Sequence, residues 1–197
     1  FMAQEVAATW QEYVDYQDIR VLEIGMDLAY FDHLKRLAEN LGHPLLESLV
    51  TLTIDCYNVI TVERALSLKK PGSFMKQLLS DAGTFSAREV IQCVEQGNLI
   101  SWFQQVNPLP YDVELTRYEE QMRAGRVSAE TVEYLEHVIK YRILEQASFE
   151  TDGPLPLARY LFGKELEVKN LRLVLTGLDN QLPIDKIKER MRPIYGQ

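Results

Sequence analysis

The chain has 197 residues, 46% hydrophobic and 25% charged, long enough to bury a real core as one domain or two small lobes. Its 29 acidic against 21 basic side chains give a formal net charge of -8, which argues against nucleic acid as a partner and suits a basic protein surface. No signal-peptide pattern is present, and charge breaks each apolar stretch well before the ~18 residues of a membrane span, so the reading is a soluble, cytosolic chain with Cys56 and Cys93 reduced and buried.

In chain order, residues 1–16 already read as helix, with no capping residue before them; the expectation is a piece of a longer protein, with Phe1 a cloning remnant. From Arg20 to Leu41, the residues Ile24, Leu28, Phe31, Leu34, Ala38 and Leu41 recur at steps of three and four. Gly42 and Pro44 end that helix. Residues 45–69 form a second, apolar nearly all round and so expected at the centre, until "KKPG" stops it. A short segment, "SFMKQLL", follows. In "FSAREV", Ser86 and Glu89 make a capping box and Phe85 and Val90 a hydrophobic staple. Gly97 closes that helix, and "NPLPYD" marks a boundary between lobes 1–107 and 108–197.

The second half begins with a helix over 112–123. A Gly125 turn and a Ser128 cap lead into a helix over about 129–147, striped by Val132, Leu135, Ile139 and Ile143. Pro154 or Pro156 opens the next helix, expected to end near Gly177. Pro183 starts a last one with Ile184, Ile187 and Met191 on one face. No segment reads convincingly as strand; Glu165 and Lys169, four apart, favour helix even around "RLVLTGL". The predicted class is therefore all-α, as two related helical-bundle lobes. Each lobe has an amphipathic helix, then a buried helix with an acid-x-x-Asn element, then a short helix beginning at Ser86 or at Pro183 after unequal gaps.

Chemistry is sparse. No phosphate loop, dinucleotide fingerprint or nucleophile elbow occurs, and His33, His43 and His137 are scattered without paired Glu-x-x-His elements, so no catalytic group, cofactor or metal is expected. His33 and His43 read as solvated. What remains is Asp55 with Asn58 and Glu167 with Asn170, each pair three apart on one helix face. They could line a ligand or ion site. Alternatively, each pair bonds backbone at a neighbouring helix end or kink, where unpaired N–H and C=O groups are exposed. The repetition favours buried structural pairs, because a packing device recurs with its repeat whereas a ligand site need occur once.

Residues 153–195, "GPLPLARYLFGKELEVKNLRLVLTGLDNQLPIDKIKERMRPIY", closely resemble the C-terminal segment of the C subunit of V-type and A-type rotary ATPases, whose eukaryotic equivalent is the d subunit. The matches are Tyr160, Lys164, Glu165, Glu167, Lys169, Asn170, Arg172, Gly177, Leu182, Pro183 and Arg190. Ile54, Asp55, Asn58, Arg64, Gly83 and Ser86 match the family's middle element, while Cys56 and Glu63 depart from it. The resemblance implies two lobes of a funnel of three, with the N-terminal lobe missing. It also implies a non-catalytic central-stalk adaptor, cytoplasmic and peripheral to the membrane without inserting in it, joining the rotor shaft to the ion-carrying membrane ring during ATP-driven proton or sodium transport or ATP synthesis. An unrelated all-helical scaffold or ligand-binding module, and an enzyme using Asp55 or Glu167 as a base, are the rival readings.

Overall fold

The structure, a computed structural model, describes residues 3–106, 113–124 and 127–196. Among them are ten helices and no strand, so the class is all-α. The chain divides into two compact units, Phe1–Val132 and Glu133–Gln197. The "NPLPYD" boundary, the helix start at Asp112 and the Gly125 turn expected from sequence lie outside the described residues.

In the first unit, α1 (Ala3–Tyr16) and α2 (Ile19–Leu41) are separated by Gln17 at φ 53° and by Asp18, whose carboxylate caps α2 by accepting the Arg20 N–H. Gly25 of α2 lies so close to Thr9 of α1 that a Cβ there would collide. Gly42, at φ 62°, ends α2 in the left-handed region. Pro44 opens the next helix rather than closing this one: it stands in the first turn of α3 (Pro44–Ser67), where its missing N–H costs nothing. Helix α3 buries nine residues and packs against α2, α4 (Gly72–Leu78) and α5 (Ala87–Glu95). By length and composition it is long and apolar enough to cross a membrane, the one such helix among the described residues. Its apolar residues are spent on helices of its own unit, as a core helix requires.

The capping box forms at α5: Glu89 Oε2 accepts the Ser86 N–H at 2.8 Å, and Ser86 Oγ accepts the Glu89 N–H at 3.4 Å. Beyond Gly97, at φ 65°, lies a helix that periodicity does not reveal, α6 (Leu99–Val106), which buries Leu99, Trp102, Phe103 and Val106 and packs on α7 (Val113–Arg123). At eight residues it is too short for its period to stand out.

Helix α8 (Ala129–Glu145) is capped by Ser128 Oγ, and its predicted stripe Val132, Leu135, Ile139 and Ile143 is buried throughout. Helix α9 (Leu155–Asp179) runs two residues past Gly177. That glycine is needed for close approach rather than for a stop, since a Cβ would stand 2.7 Å from Ile187 Cδ1 of α10 (Ile184–Lys188). Helix α10 has five residues and buries only Ile187; Ile184 is exposed and Met191 lies beyond its end, so the predicted three-residue apolar face does not form.

Candidate functional site

Asn58 lies in the middle of α3 with no exposed surface. Its Nδ2 donates to the Ser80 carbonyl at 2.8 Å, and its Oδ1 accepts the Ser80 N–H at 3.0 Å. A carboxamide carries one donor and one acceptor side by side, like a peptide unit, so it can satisfy both backbone groups of one residue at once. Asn170 of α9 does the same to Arg192, donating to the carbonyl at 3.0 Å and accepting the N–H at 2.8 Å. Each carboxamide grips the residue 22 positions downstream.

The agreement extends through both segments without insertion or deletion. The same offset carries Asn58 to Asn170, Lys69 to Gln181, Pro71 to Pro183, Met75 to Ile187 and Ser80 to Arg192. Lys69 and Gln181 both have φ 55°, a left-handed stop that a non-glycine residue rarely adopts. The next N–H returns to the last helical turn in both, Lys70 to the Ala65 carbonyl and Leu182 to the Gly177 carbonyl, each at 2.9 Å. Pro71 and Pro183 cap the short helices α4 and α10, which bury Met75 and Ile187. The counterpart of α10 is therefore α4, not the helix beginning at Ser86 that the sequence pattern suggests. "KKPG" reads in sequence only as a stop for α3, but its proline also opens α4.

The acids do not share this symmetry. Asp55 is fully buried, and its Oδ1 accepts the Thr84 N–H at 2.8 Å. Burial raises its pKa; hydrogen bonds from Thr84 and Phe85 and the charge of Lys35 oppose the rise. Gly83 passes so near this carboxylate that no Cβ fits. Glu167 departs from the expected buried pair: it is half-exposed and pairs with Lys164 at 2.8 Å. The return segments also differ. Tyr195 stands where Gly83 stands in the first unit, and its ring packs on Gly163, where a Cβ would come within 2.6 Å, and under Arg159 at 5.0 Å.

No sequence pattern points to the group that completes the second clamp. His137 of α8 is buried, with Nδ1 accepting from Arg192 Nε at 3.0 Å and Nε2 standing 2.7 Å from Lys169 Nζ. Burial first, then the charges of Lys169, Arg192 and Lys140, depress its pKa to about 3, so it is neutral. The Tyr141 hydroxyl donates to the Ile194 carbonyl at 3.1 Å. Residues 190–195 are thus held from α8 and α9 together. Neither the 32-residue step to Lys169 nor the 55-residue step to Arg192 leaves a local pattern.

Each asparagine spends one N–H and its side-chain oxygen on backbone, the structural use of an acid-x-x-Asn pair. No group of three His, Cys, Asp or Glu that could hold a metal occurs among the described residues. Open clefts of about 470 and 390 Å³ lie on the first unit, and neither is lined by Asp55 or Asn58.

Fold and site together define an all-α protein built on a duplicated module: a long helix, a short helix and a return segment gripped by the long helix's asparagine. The chain belongs to the ATP synthase (C/AC39) subunit family, whose model matches residues 2–190. It is 30% identical over 177 residues to the C subunit of the V-type sodium ATPase of Enterococcus hirae, covering 88% of this chain and 52% of that protein. The chain thus spans about half the length of the curated relative it matches. No solved structure matches it.

Proposed function

We propose that the chain is part of a non-catalytic central-stalk adaptor of a V/A-type rotary ATPase, joining the rotor shaft to the ion-carrying membrane ring during ATP-driven proton or sodium transport or ATP synthesis. Its two lobes are then part of a funnel of three, and the adaptor is cytoplasmic and peripheral to the membrane. The observation that carries this reading is the family match over residues 2–190. The relative's name adds sodium as one candidate ion.

The geometry supports a mechanical role. An adaptor under torque must not let its helices slide or its return segments peel away. Close-packed interiors transmit load because they compress little. A carboxamide that binds both backbone groups of one residue adds direction to that packing, since displacing the segment breaks two buried hydrogen bonds together. The net negative charge suits a basic shaft foot.

The test is reconstitution with purified shaft proteins and a detergent-solubilised membrane ring. The chain should co-sediment with shaft and ring and hydrolyse no ATP alone. Binding to neither, or turnover by the isolated chain, removes this reading.

A further inference from the structure

The two return segments share an asparagine grip but are anchored by different side chains. In the first unit the gripped residue is Ser80, whose Oγ accepts the Ala82 N–H at 3.2 Å; neither group titrates near neutral pH. In the second unit it is Arg192, and its side chain is tied as well as its backbone. Arg192 Nε donates to His137 Nδ1 at 3.0 Å, while the Arg192 N–H and carbonyl are held by Asn170. His137 is 9% exposed and lies against the Phe162 ring, so water does not readily replace a lost partner there.

An arginine Nε has a hydrogen to give and no lone pair to accept one, so Nδ1 is the bare nitrogen of the neutral ring. A further proton has one place to go, onto Nδ1, where it meets the Arg192 N–H head-on. Charge opposes it too: Lys169 from α9, Lys140 from α8 and Arg192 from the return segment all face the ring. The carboxylates of Glu165 and Glu136 are paired with Lys169, at 2.6 Å, and with Lys140. Tyr141, also on α8, holds the Ile194 carbonyl as a neutral hydroxyl, its pKa raised chiefly by burial. Ring, cations and return segment belong to one compact unit, so the arrangement does not depend on what covers the outer faces of its helices.

We propose that His137 is an acid-released latch: a proton on its ring drives Arg192 off and opens residues 190–195 from α8 and α9 without unfolding either helix. Asn170 loses its partner in the same event, because both anchors meet on one residue. In the closed form the ring is neutral, its pKa held down to about 3, and it regains an ordinary histidine's affinity for protons once the segment lifts. Opening is then favoured about tenfold more for each pH unit below 6.5.

Amide exchange read by NMR on the 197-residue chain between pH 7.5 and 5 tests this, each rate divided by that of an unstructured peptide at the same pH. Protection of the Arg192 amide should fall about thirtyfold over that range. At pH 5, urea up to about 1 M should leave its exchange nearly unchanged, because lifting a short segment exposes little surface, whereas amides in the middle of α9 should respond to urea. In His137→Gln, whose side-chain oxygen can accept from Arg192 and does not titrate, the fall should vanish. If that variant does not fold, the ring nitrogen shifts of the unsubstituted chain decide: His137 should stay neutral, with Nδ1 bare, for as long as the Arg192 amide is protected. Protection at Arg192 that is flat with pH overturns the proposal. So does exchange there as urea-dependent as in the middle of α9, a fall that persists in His137→Gln, or a charged His137 ring beside a protected Arg192 amide.

Discussion

Four side chains carry most of the account. Asn58 and Asn170 each satisfy a buried or part-buried N–H and carbonyl. Leucine at either site strands both backbone groups, so Asn58→Leu and Asn170→Leu should each lower the unfolding free energy by about 1–3 kcal/mol in urea titrations. Asp55 behaves differently, because burial disfavours its charged form. A carboxyl raised in the fold binds its proton more tightly there than in the unfolded chain, so its contribution is complete below the unfolded pKa and falls as pH rises through the folded pKa. Asp55→Asn keeps an oxygen for the Thr84 N–H and removes that cost; stability at pH 7–8 should be unchanged or higher, whereas Asp55→Leu should lose about 1–3 kcal/mol. His137 has the opposite sign. Its pKa is about 3 in the fold against 6.5 ordinarily, so the unfolded chain takes up the extra proton between those values. Its contribution is complete above pH 6.5 and is lost as pH falls, at up to about 1.4 kcal/mol per pH unit. Denaturation between pH 7.5 and 5 should show that slope, and His137→Gln should flatten it.

At the scale of elements, the duplicated module tolerates exchange where the two halves of a contact change together. In the first unit a glycine in the return segment makes room for Asp55; in the second, a glycine on the long helix makes room for Tyr195. Gly163→Ala should therefore destabilise the protein by about 1–3 kcal/mol through overpacking. Combined with Tyr195→Ala, the loss should be smaller than the two single losses added, as a double-mutant cycle by thermal unfolding would show. These contacts also mark what sequence can and cannot reveal. The capping box at Ser86 and the stripe of α8 are legible because each is fixed by neighbours within one or two turns. The acid-x-x-Asn spacing marks Asn58 and Asn170, because polar residues on apolar helices stand out. Their partners are hidden, since a carboxamide bonds backbone and backbone has no sequence signature. The equivalence of α4 and α10 is hidden as well: Met75 and Ile187 share burial but not identity, and α6 is too short to show a period. The exposure of Glu167 escapes the pattern as well, because the same acid-x-x-Asn spacing puts a fully buried acid on α3 and a half-exposed one on α9.

At the scale of the whole molecule, the proposed coupling role gives the duplicated clamps a use, to hold the shape of a body under load. If the clamps carry load, a motor assembled with Asn58→Leu and Asn170→Leu together should keep its ATP hydrolysis and move fewer ions per ATP, measured as transport and hydrolysis on the same vesicles. The central claim can be examined without the motor, by amide hydrogen exchange across the chain. The Ser80 and Arg192 amides, which donate to the two asparagines, should exchange as slowly as amides in the middle of α3 and α9, and each should become fast in the corresponding leucine variant. Exchange of both amides at the rate of exposed loops in the unsubstituted protein would contradict it.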